Sequence, residues 1–510
     1  MTVIKPYRWT SMALLGLLGL VAGLAGCASN LPSQQDAQTA SALQPPAAWQ
    51  TSLPHGGSTA TLANWWAQLG DPLLPELVDA AQQRSATLAA ARTRIAQARA
   101  TLTGTQANVL PGVSANALAT RAKSLGAPPV TSLSAGVQAA WEIDLFGGNG
   151  AARDASSLRY ESAQIGWHEA RVSLAAETAA AYFSLRQCES ALLVTQNDAT
   201  SRLETARLND LTANAGLNAP ATAALARASA ADASSTLRAS QAQCSVLVKA
   251  LVQLSGIEEP VLRLKLQAKQ AAVVTGYAQA ALFSIASMPA QVLLQRPDIA
   301  TAQRSIAAAQ LEARAVDARR LPSISLNGSI GGARIYAGDT TNSGTTWALG
   351  PLAVTVPLLD YGRNAANTAA AIAAYDEAVV TLRAKVAQAV REVEEALVNL
   401  DSVTARRSDV QAAAVGYKQS LDATQARYKA GLASLVELED ARRIALQSQQ
   451  NQLGLERERI SAWIALYRAA GGGWNGQTDV PTVGVPTASP SVSSSVSSSA
   501  SAAPATKPAP

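Results

Sequence analysis

Two stretches of the chain alternate apolar and polar residues, and each precedes a much longer stretch of helical character. In the first, Val137, Trp141 and Leu145 alternate with Gln138 and Glu142. A period of two is typical of a strand with one apolar face, and about ten residues suffice for a tilted strand to span a membrane. The pattern predicts four strands, at about 113–121, 135–145, 323–335 and 347–358.

Each predicted strand pair is followed by a hairpin of two long helices. The first hairpin is predicted over residues 151–254 with its turn at Gly216, and the second over residues 364–469 with its turn at Gly431. At a rise of about 1.5 Å per residue, the longer arms would measure about 80–100 Å. Helices of this length need a neighbour along their length, as in a coiled coil.

The same order of parts is written twice. Leu110-Pro111 recurs as Leu321-Pro322, and Ala215-Gly216-Leu217 recurs as Ala430-Gly431-Leu432, between 211 and 215 residues later. In each copy a shorter helical stretch, residues 73–107 or 297–320, precedes the strand pair. The predicted organisation is a leader at 1–26, an extended lead-in at 27–63, repeat 1 at 64–270, repeat 2 at 271–475, and a disordered Ser/Pro/Ala tail at 476–510.

The amino terminus has the layout of a bacterial lipoprotein signal. Lys5 and Arg8 precede an apolar run that starts at Met12 and ends in Leu24-Ala25-Gly26-Cys27. This ending resembles a lipobox, which implies that Cys27 is lipidated and becomes the first residue of the mature chain. By resemblance to the sorting signals of enteric lipoproteins, Ala28 in place of aspartate implies sorting to the outer membrane. The alternative is an ordinary signal peptide with an incidental cysteine.

Composition narrows the possible functions. Apolar residues make up 48% of the chain but aromatic residues only 4%, which favours closely packed long helices. The net charge of +5, about +3 without Lys5 and Arg8, is too small to indicate nucleic-acid binding. The two histidines, His55 and His168, lack metal-ligand spacing, and no phosphate loop or nucleophile elbow occurs. We therefore expect no enzyme activity, no cofactor and no metal site.

The strand count predicts an oligomer. No segment after the leader is apolar and long enough for a transmembrane helix, so a membrane crossing would need a closed β-barrel. Four strands are too few, because the smallest common membrane barrels have about eight. Three chains would supply twelve strands and twelve hairpin arms. The predicted fold class is thus mainly α with a membrane β-barrel and an α-helical tube.

The order of the motifs resembles that of the TolC-like outer-membrane factors of tripartite efflux, and most of all the NodT-type lipoprotein branch. The motifs that carry this resemblance are Trp65-Trp66, Leu69-Gly70-Asp71-Pro72, Gln97-Ala98-Arg99-Ala100, Trp141-Glu142-Ile143-Asp144-Leu145-Phe146-Gly147, Gln295-Arg296-Pro297-Asp298-Ile299, Gly350-Pro351, Asp360-Tyr361-Gly362-Arg363 and Arg427-Tyr428-Lys429-Ala430-Gly431-Leu432. The family implies a homotrimer in outer-membrane lipid, with a twelve-stranded barrel and a periplasmic α-helical tube. It also implies a periplasmic adaptor protein and an inner-membrane RND-type pump as partners.

The implied function is a passive exit duct for drugs or other small toxic compounds. Two alternatives stay open: a secretion duct for protein cargo, and a non-conducting structural lipoprotein of the envelope. The alternating strand pairs argue against the structural alternative, because a spacer needs no strands. The pump selects the cargo, so this sequence does not identify it.

The resemblance also implies a periplasmic gate just past the second hairpin turn. The matching residues are Glu437 and Asp440, with Tyr428 at a position that forms a hydrogen bond across the closed tip. A ring of such acids selects for cations, and crowding should raise some of their pKa values. Ser434 and Glu437 also form a capping-box pattern, so Glu437 could simply start the returning helix.

The hairpin tips are expected to contact the adaptor. The candidate residues are Gly216, Leu217, Gly431 and Leu432, although both glycines could serve only as helix caps. Repeat 1 has Thr222 where the family often has an acid. Fewer ionic links should therefore close this tip.

Two cysteines remain after the leader. Cys188 and Cys244 each lie 28 residues from Gly216, on opposite arms of the first hairpin. Antiparallel arms of equal length bring them to the same height, and the periplasm is oxidising. We predict a disulfide between them; the alternative is two buried thiols, because equal height does not fix the direction of the side chains.

Overall fold

The computed structural model describes residues 31–42, 45–51, 62, 65–68, 71–126, 128–267 and 289–476. The predicted leader, Cys27 and the tail from residue 477 onwards lie outside these ranges. So does the segment 268–288 that precedes the second repeat. Among the residues that the structure describes, no helix is both long and apolar enough to cross a membrane.

The described chain is mainly helical, as predicted. The helices are α1 Gln34–Ser41, α2 Trp65–Gln68, α3 Leu73–Arg84, α4 Ala86–Ala107, α5 Gly148–Asn214, α6 Pro220–Ser255, α7 Glu259–Gln267, α8 Pro289–Leu294, α9 Pro297–Ala318, α10 Arg363–Lys429 and α11 Leu435–Ala469. The predicted helical stretch 73–107 is divided at Ser85. The side chain of this residue accepts a hydrogen bond from Leu88 N–H and caps α4.

Four strands form one antiparallel sheet in the order β1-β2-β3-β4. They are β1 Gly112–Ala122, β2 Val130–Ile143, β3 Ser323–Ala337 and β4 Thr340–Thr355. β2 and β4 begin five and seven residues before the predicted positions, because their first halves consist mostly of Ser, Thr, Gly and Asn and show no apolar alternation. β4 ends three residues early, just ahead of Pro357, which has no N–H to donate.

Two helical hairpins follow the two strand pairs. α5 packs against α6 and α10 packs against α11, and both first arms have 67 residues, about 100 Å. Each first arm starts in the same way, after a left-handed glycine, Gly147 or Gly362. The carboxylates of Asp144 and Asp360 then accept hydrogen bonds from backbone N–H groups at the start of the helix.

The largest apolar core lies where α3, α6, α10 and α11 pack against the middle of α5. Trp65 packs against Tyr467, with ring centroids 5.2 Å apart, and Tyr182 is fully buried beside them. Tyr182 donates a hydrogen bond to the carboxylate of Asp71 and accepts one from Arg186 Nε at 2.9 Å. Away from this core, α6 buries mainly alanine towards the tip, so the helices can approach closely.

The two cysteines of the first hairpin meet in the structure. Cys188 on α5 and Cys244 on α6 are joined by a disulfide, with Cα atoms 5.6 Å apart. This separation lies within the range that a disulfide bridges without backbone movement. The bond crosslinks the two arms at the margin of the large core, and its state in the periplasm stays a prediction that a thiol titration tests.

Candidate functional site

Both hairpins turn in the same way at the end remote from the sheet. Gly216 and Gly431 adopt positive φ angles of 74° and 75°. Leu217 N–H then bonds to Thr212 O, and Leu432 N–H to Arg427 O, both at 2.8 Å. This pattern closes a helix end around a left-handed residue. The glycines therefore act as caps, and the side chains of Leu217 and Leu432 remain 80% and 70% exposed.

Glu437 serves the helix that it starts. Ser434 N–H donates to Glu437 Oε2 at 2.7 Å, and Glu437 N–H donates to Ser434 Oγ at 3.2 Å, which completes a capping box. These hydrogen bonds hold the pKa of the Glu437 carboxyl below its usual range. Within a single chain the pKa is thus shifted in the direction opposite to the one expected from crowding.

Asp440 lies one turn further along α11, on the exposed surface. Its carboxylate pairs with Arg443 at 3.0 Å, and both side chains are about two-thirds exposed. An exposed pair of this kind contributes little to stability. The Asp440 carboxylate can therefore face other chains, whereas the Glu437 carboxylate is held in the capping box.

Tyr428 connects the two hairpins at the tip. Its hydroxyl accepts a hydrogen bond from Asn209 Nδ2 at 2.8 Å, and Asn218 Nδ2 donates to Asn209 Oδ1 at 2.9 Å. Asn209 is buried on α5, so the end of α10 is fixed against the first hairpin. An apolar layer lies beside this polar contact, and its members are Ala206, Ala226, Ala230, Leu435 and Leu438.

A third layer, further from the turn, is ionic, and the expectations from the sequence do not include it. Glu439 on α11 accepts hydrogen bonds from Arg202 on α5, from Ser229 Oγ on α6 at 2.7 Å, and from Arg442 at 2.8 Å. The Arg202 guanidinium also pairs with Asp198 at 2.9 Å. We call these five residues, Asp198, Arg202, Ser229, Glu439 and Arg442, the ionic layer; its four charges balance.

Arg442 is the most buried member of the ionic layer. Only 3% of its side chain is exposed, and its Nη2 donates to Ser201 Oγ at 2.9 Å and to Thr205 Oγ1 at 2.8 Å. The sequence does contain a signal for this role. Leu435, Leu438 and Arg442 are spaced three and four residues apart, so they share one helix face, and a basic residue on an apolar face implies a buried carboxylate partner.

The tip therefore consists of three layers that join the first hairpin to the second. It offers no nucleophile or general base arranged for catalysis among the residues described. What it presents instead is a returning helix that carries two exposed acids, next to two exposed apolar turns. Such an arrangement suits contact with other proteins and selection by charge.

Comparison with known proteins places this architecture in one class. The family model for outer membrane efflux proteins matches residues 77–257 and 288–472, which is well over half of the chain. The chain belongs to the outer membrane efflux protein family. The two matched segments each contain one strand pair and one long hairpin.

Relatives align over almost the whole chain. The pyoverdine export outer membrane protein OpmQ of Pseudomonas putida is 27% identical over 484 residues, which is 92% of this chain and 98% of that protein. The solvent efflux pump outer membrane protein SrpC of Pseudomonas putida is 28% identical over 467 residues, 89% and 96% of the two chains.

Solved structures share the fold. A membrane protein from Pseudomonas aeruginosa superposes with a TM-score of 0.71 at 26% identity, over 85% of this chain and 97% of that one. The Campylobacter jejuni CmeC outer membrane channel gives the same TM-score at 22% identity, over 85% and 96%. The protein is an outer-membrane channel of a tripartite efflux system and not an enzyme, which confirms the expectation from the motifs.

Proposed function

We propose that three copies of the chain assemble into a passive exit duct for drugs or other small toxic compounds. In this proposal a twelve-stranded barrel spans the outer membrane, and the two tandem hairpins of each chain build a periplasmic tube. A periplasmic adaptor protein joins the tube to an inner-membrane RND-type pump that supplies the energy. The observation that carries the proposal is the four-stranded sheet, with one apolar face, one polar face and two open edges.

The two faces of the sheet follow from its register, because residues directly opposite each other in an antiparallel pair share a face. One face, here called the apolar face, is lined mainly by Val113, Ala115, Leu133, Val137, Trp141, Ile143, Ile324, Leu326, Ile330, Trp347, Leu349, Leu352 and Val354. The other face is mainly polar: it also carries Leu118 and Ile335, but most of its side chains are those of Ser114, Asn116, Thr120, Gln138, Glu142, Ser325, Ser329 and similar residues. An apolar outer face and a polar inner face are what a water-filled membrane barrel needs.

The sheet edges support closure by neighbouring chains. Within the described chain, β1 and β4 each pair on one side only. Backbone groups at an open edge find no partner in lipid, so an isolated four-stranded sheet would not be stable there. Three sheets joined edge to edge give twelve strands. Exposed apolar side chains on the long arms, such as Val380, Val398 and Leu203, likewise suit contact with neighbouring helices.

The amino-terminal segment supports lipidation at Cys27. Gln303 Nε2 donates to Ser41 O at 2.9 Å, and Gln310 Nε2 donates to Pro32 O at 3.1 Å, so this segment runs antiparallel to α9 and its amino-terminal end points towards the sheet. The five Cα–Cα steps from Cys27 to Pro32 can span at most about 18 Å. The remaining part of α9 beyond Gln310 is about 12 Å long, so acyl chains on Cys27 would lie near the base of the barrel.

The gate belongs to the same proposal. Asp440 is exposed on the returning helix, with Glu437 one turn nearer the tip, and three chains would bring six such carboxylates to one opening. Tyr428 would keep the tip closed through Asn209. The exposed Leu217 and Leu432 next to Gly216 and Gly431 would contact the adaptor.

The names of the relatives favour small cargo. They refer to pyoverdine export, to solvent and toluene efflux, and to cation efflux. We therefore prefer small compounds to protein cargo. The polar face of the sheet argues against a non-conducting structural lipoprotein, because a spacer has no use for a polar lumen.

Light scattering of the detergent-solubilised full-length protein tests the assembly. A protein mass of three chains is expected, and it should persist when Cys27 is replaced by serine, because the anchor does not form the barrel.

Metabolic labelling with palmitate tests lipidation. It should mark the wild-type protein and not Cys27→Ser. A monomer at all concentrations would contradict the proposed barrel, and equal labelling of both proteins would contradict lipidation at Cys27.

A further inference from the structure

Two arginines lie at the end of the sheet that is remote from the helices. All four strand ends that connect to helices lie at the opposite end, so this end faces away from the periplasmic hairpins in the proposed assembly. Arg121 is the penultimate residue of β1, just before the β1–β2 turn, and Arg334 lies four residues before the β3–β4 turn. Both residues are exposed.

The register places both arginines on the apolar face. Arg121 lies opposite Thr131, which lies opposite Tyr336 on β3. Arg334 lies opposite Leu133, and Leu133 lies opposite Ala119. Both rows belong to the same face as Trp347 and Ile330, because they are separated from that row by an even number of residues. The two arginines therefore point towards lipid and not towards the lumen.

The height of these rows matches the outer edge of a membrane. From Ile143 to Leu133 the strand advances by ten residues, about 33 Å along the strand and about 25 Å along the membrane normal at a tilt of about 40°. The apolar band of outer-membrane barrels is about 25 Å tall. Arg334 thus lies at the boundary between acyl chains and headgroups, and Arg121 lies one row further out.

The arginines are available for a ligand. Neither guanidinium forms an ion pair or a hydrogen bond with a described residue. The Arg334 guanidinium lies over the Tyr336 ring, 5.7 Å from its centroid, and this stacking can orient it along the sheet. The acids of the strands and their turns are Glu142, on the polar face at the other end, and Asp339, in the β3–β4 turn. The rim of the apolar face is therefore basic.

We propose that Arg121 and Arg334 bind the phosphate groups of a phosphorylated lipid of the outer leaflet. This inference rests on the proposed insertion of the sheet as a barrel. One strand, β2, lies between the two arginines. Two interstrand spacings and an offset of two residues place their Cα atoms about 12 Å apart, within reach of one headgroup that carries several phosphates. Planar guanidinium groups bind phosphate through paired hydrogen bonds, which favours arginine at such a site. Three chains would repeat the site around the barrel.

The test compares two lipids on the wild-type protein, so its first arm needs no variant. The full-length protein in neutral detergent is titrated with lipopolysaccharide, or with the same lipid after enzymatic removal of its phosphates. Bound lipid is counted by native mass spectrometry, and Kd is taken from the shift in unfolding temperature. We expect clear binding of the phosphorylated lipid and much weaker binding of the dephosphorylated one. Equal binding of the two lipids would overturn the proposal.

The second arm uses Arg121→Gln, Arg334→Gln and the double variant. A basic residue near an anionic membrane surface contributes about 1 kcal/mol to binding, so each single variant should raise the Kd about fivefold. The double variant should raise the Kd about 30-fold. Arg363→Gln, at the periplasmic end of the sheet, is the matched control and should bind as the wild type does.

Conductance in phosphatidylcholine bilayers separates this inference from the proposed function. The double variant should conduct as the wild type does, because the arginines face lipid. If the Kd of the double variant is unchanged and the protein still conducts, the phosphate site is overturned and the proposed duct stands. Loss of conductance from every protein, the wild type included, would overturn the barrel and the site together.

Discussion

Replacing Glu439 with glutamine removes one charge from the ionic layer and keeps the shape of the side chain. In the wild type this carboxylate accepts from Arg202, Ser229 and Arg442, and thereby links α11 to both arms of the first hairpin. Glutamine can still accept from Ser229. It no longer attracts the two guanidinium groups, so the tip of the second hairpin should separate from the first more readily.

The size of the expected destabilisation depends on the partners that Arg202 and Arg442 keep in the variant. Loss of one partner of a buried ion pair costs about 3–5 kcal/mol when the other charge is left unpaired. Here Arg202 keeps Asp198, Arg442 keeps Ser201 and Thr205, and Glu439 itself is 16% exposed. We therefore expect about 2 kcal/mol, which corresponds to roughly a 30-fold shift towards the separated tip.

Hydrogen-exchange mass spectrometry of the full-length protein measures this shift directly. Exchange in segments 198–209 and 435–443 should rise by about 30-fold in Glu439→Gln, while segments near the large core stay unchanged. Glu458→Gln is the control, because Glu458 pairs with Arg406 inside the second hairpin and both side chains are about half exposed. Unchanged exchange in Glu439→Gln, or an equal rise in the control, would refute the reasoning.

Three further predictions concern other parts of the chain. The denatured, unreduced protein should show no free thiol from Cys188 and Cys244 and two after reduction; two thiols before reduction would contradict the disulfide. Glu437→Gln should destabilise the protein at neutral pH, because the capping hydrogen bonds lower the pKa of the Glu437 carboxyl and so favour its ionised form. The difference from wild type in denaturant unfolding should shrink as pH falls from the usual range of a glutamate through that lowered pKa, and a difference that persists in stronger acid would contradict the capping role. Gly331→Val should destabilise the sheet by about 1–3 kcal/mol and reduce the yield of inserted protein, because a Cβ there would lie 2.6 Å from a carbonyl oxygen of β2, whereas Gly344→Val, with no atom within 4 Å, should be tolerated.

The sequence predicts the long helices and the strand pairs because their signals are local and repeated. Period-two alternation marks the second half of β2, and glycines at positions 216 and 431 mark the hairpin turns. The predicted mainly helical architecture is confirmed by the structure and by the related channels. The trimer, the barrel and the tandem repeats remain proposals. The unpaired edges of β1 and β4 support the barrel, and the mass from light scattering tests the trimer.

The parts that the sequence did not predict depend on contacts between distant segments. Glu439 has no unusual neighbours in sequence, and its partner Arg202 lies 237 residues away on another helix. The family pattern predicts fewer ionic links at this tip from the turn residues alone, whereas the ionic layer lies about two to five helical turns away from Gly216 and Gly431. The early starts of β2 and β4 were missed for a similar reason, because small polar residues extend the ladder only when the neighbouring strand is present.

Single-channel recording in a planar bilayer tests the central claim, a duct closed by acids at the periplasmic tip. The wild type should give small, cation-selective openings, because in the proposed trimer the carboxylates would line the narrowest point. Glu437→Ala/Asp440→Ala should open wider and lose part of that selectivity. If neither protein conducts although insertion is verified, the duct is contradicted; if both conduct equally, the pore remains but Glu437 and Asp440 are not its gate.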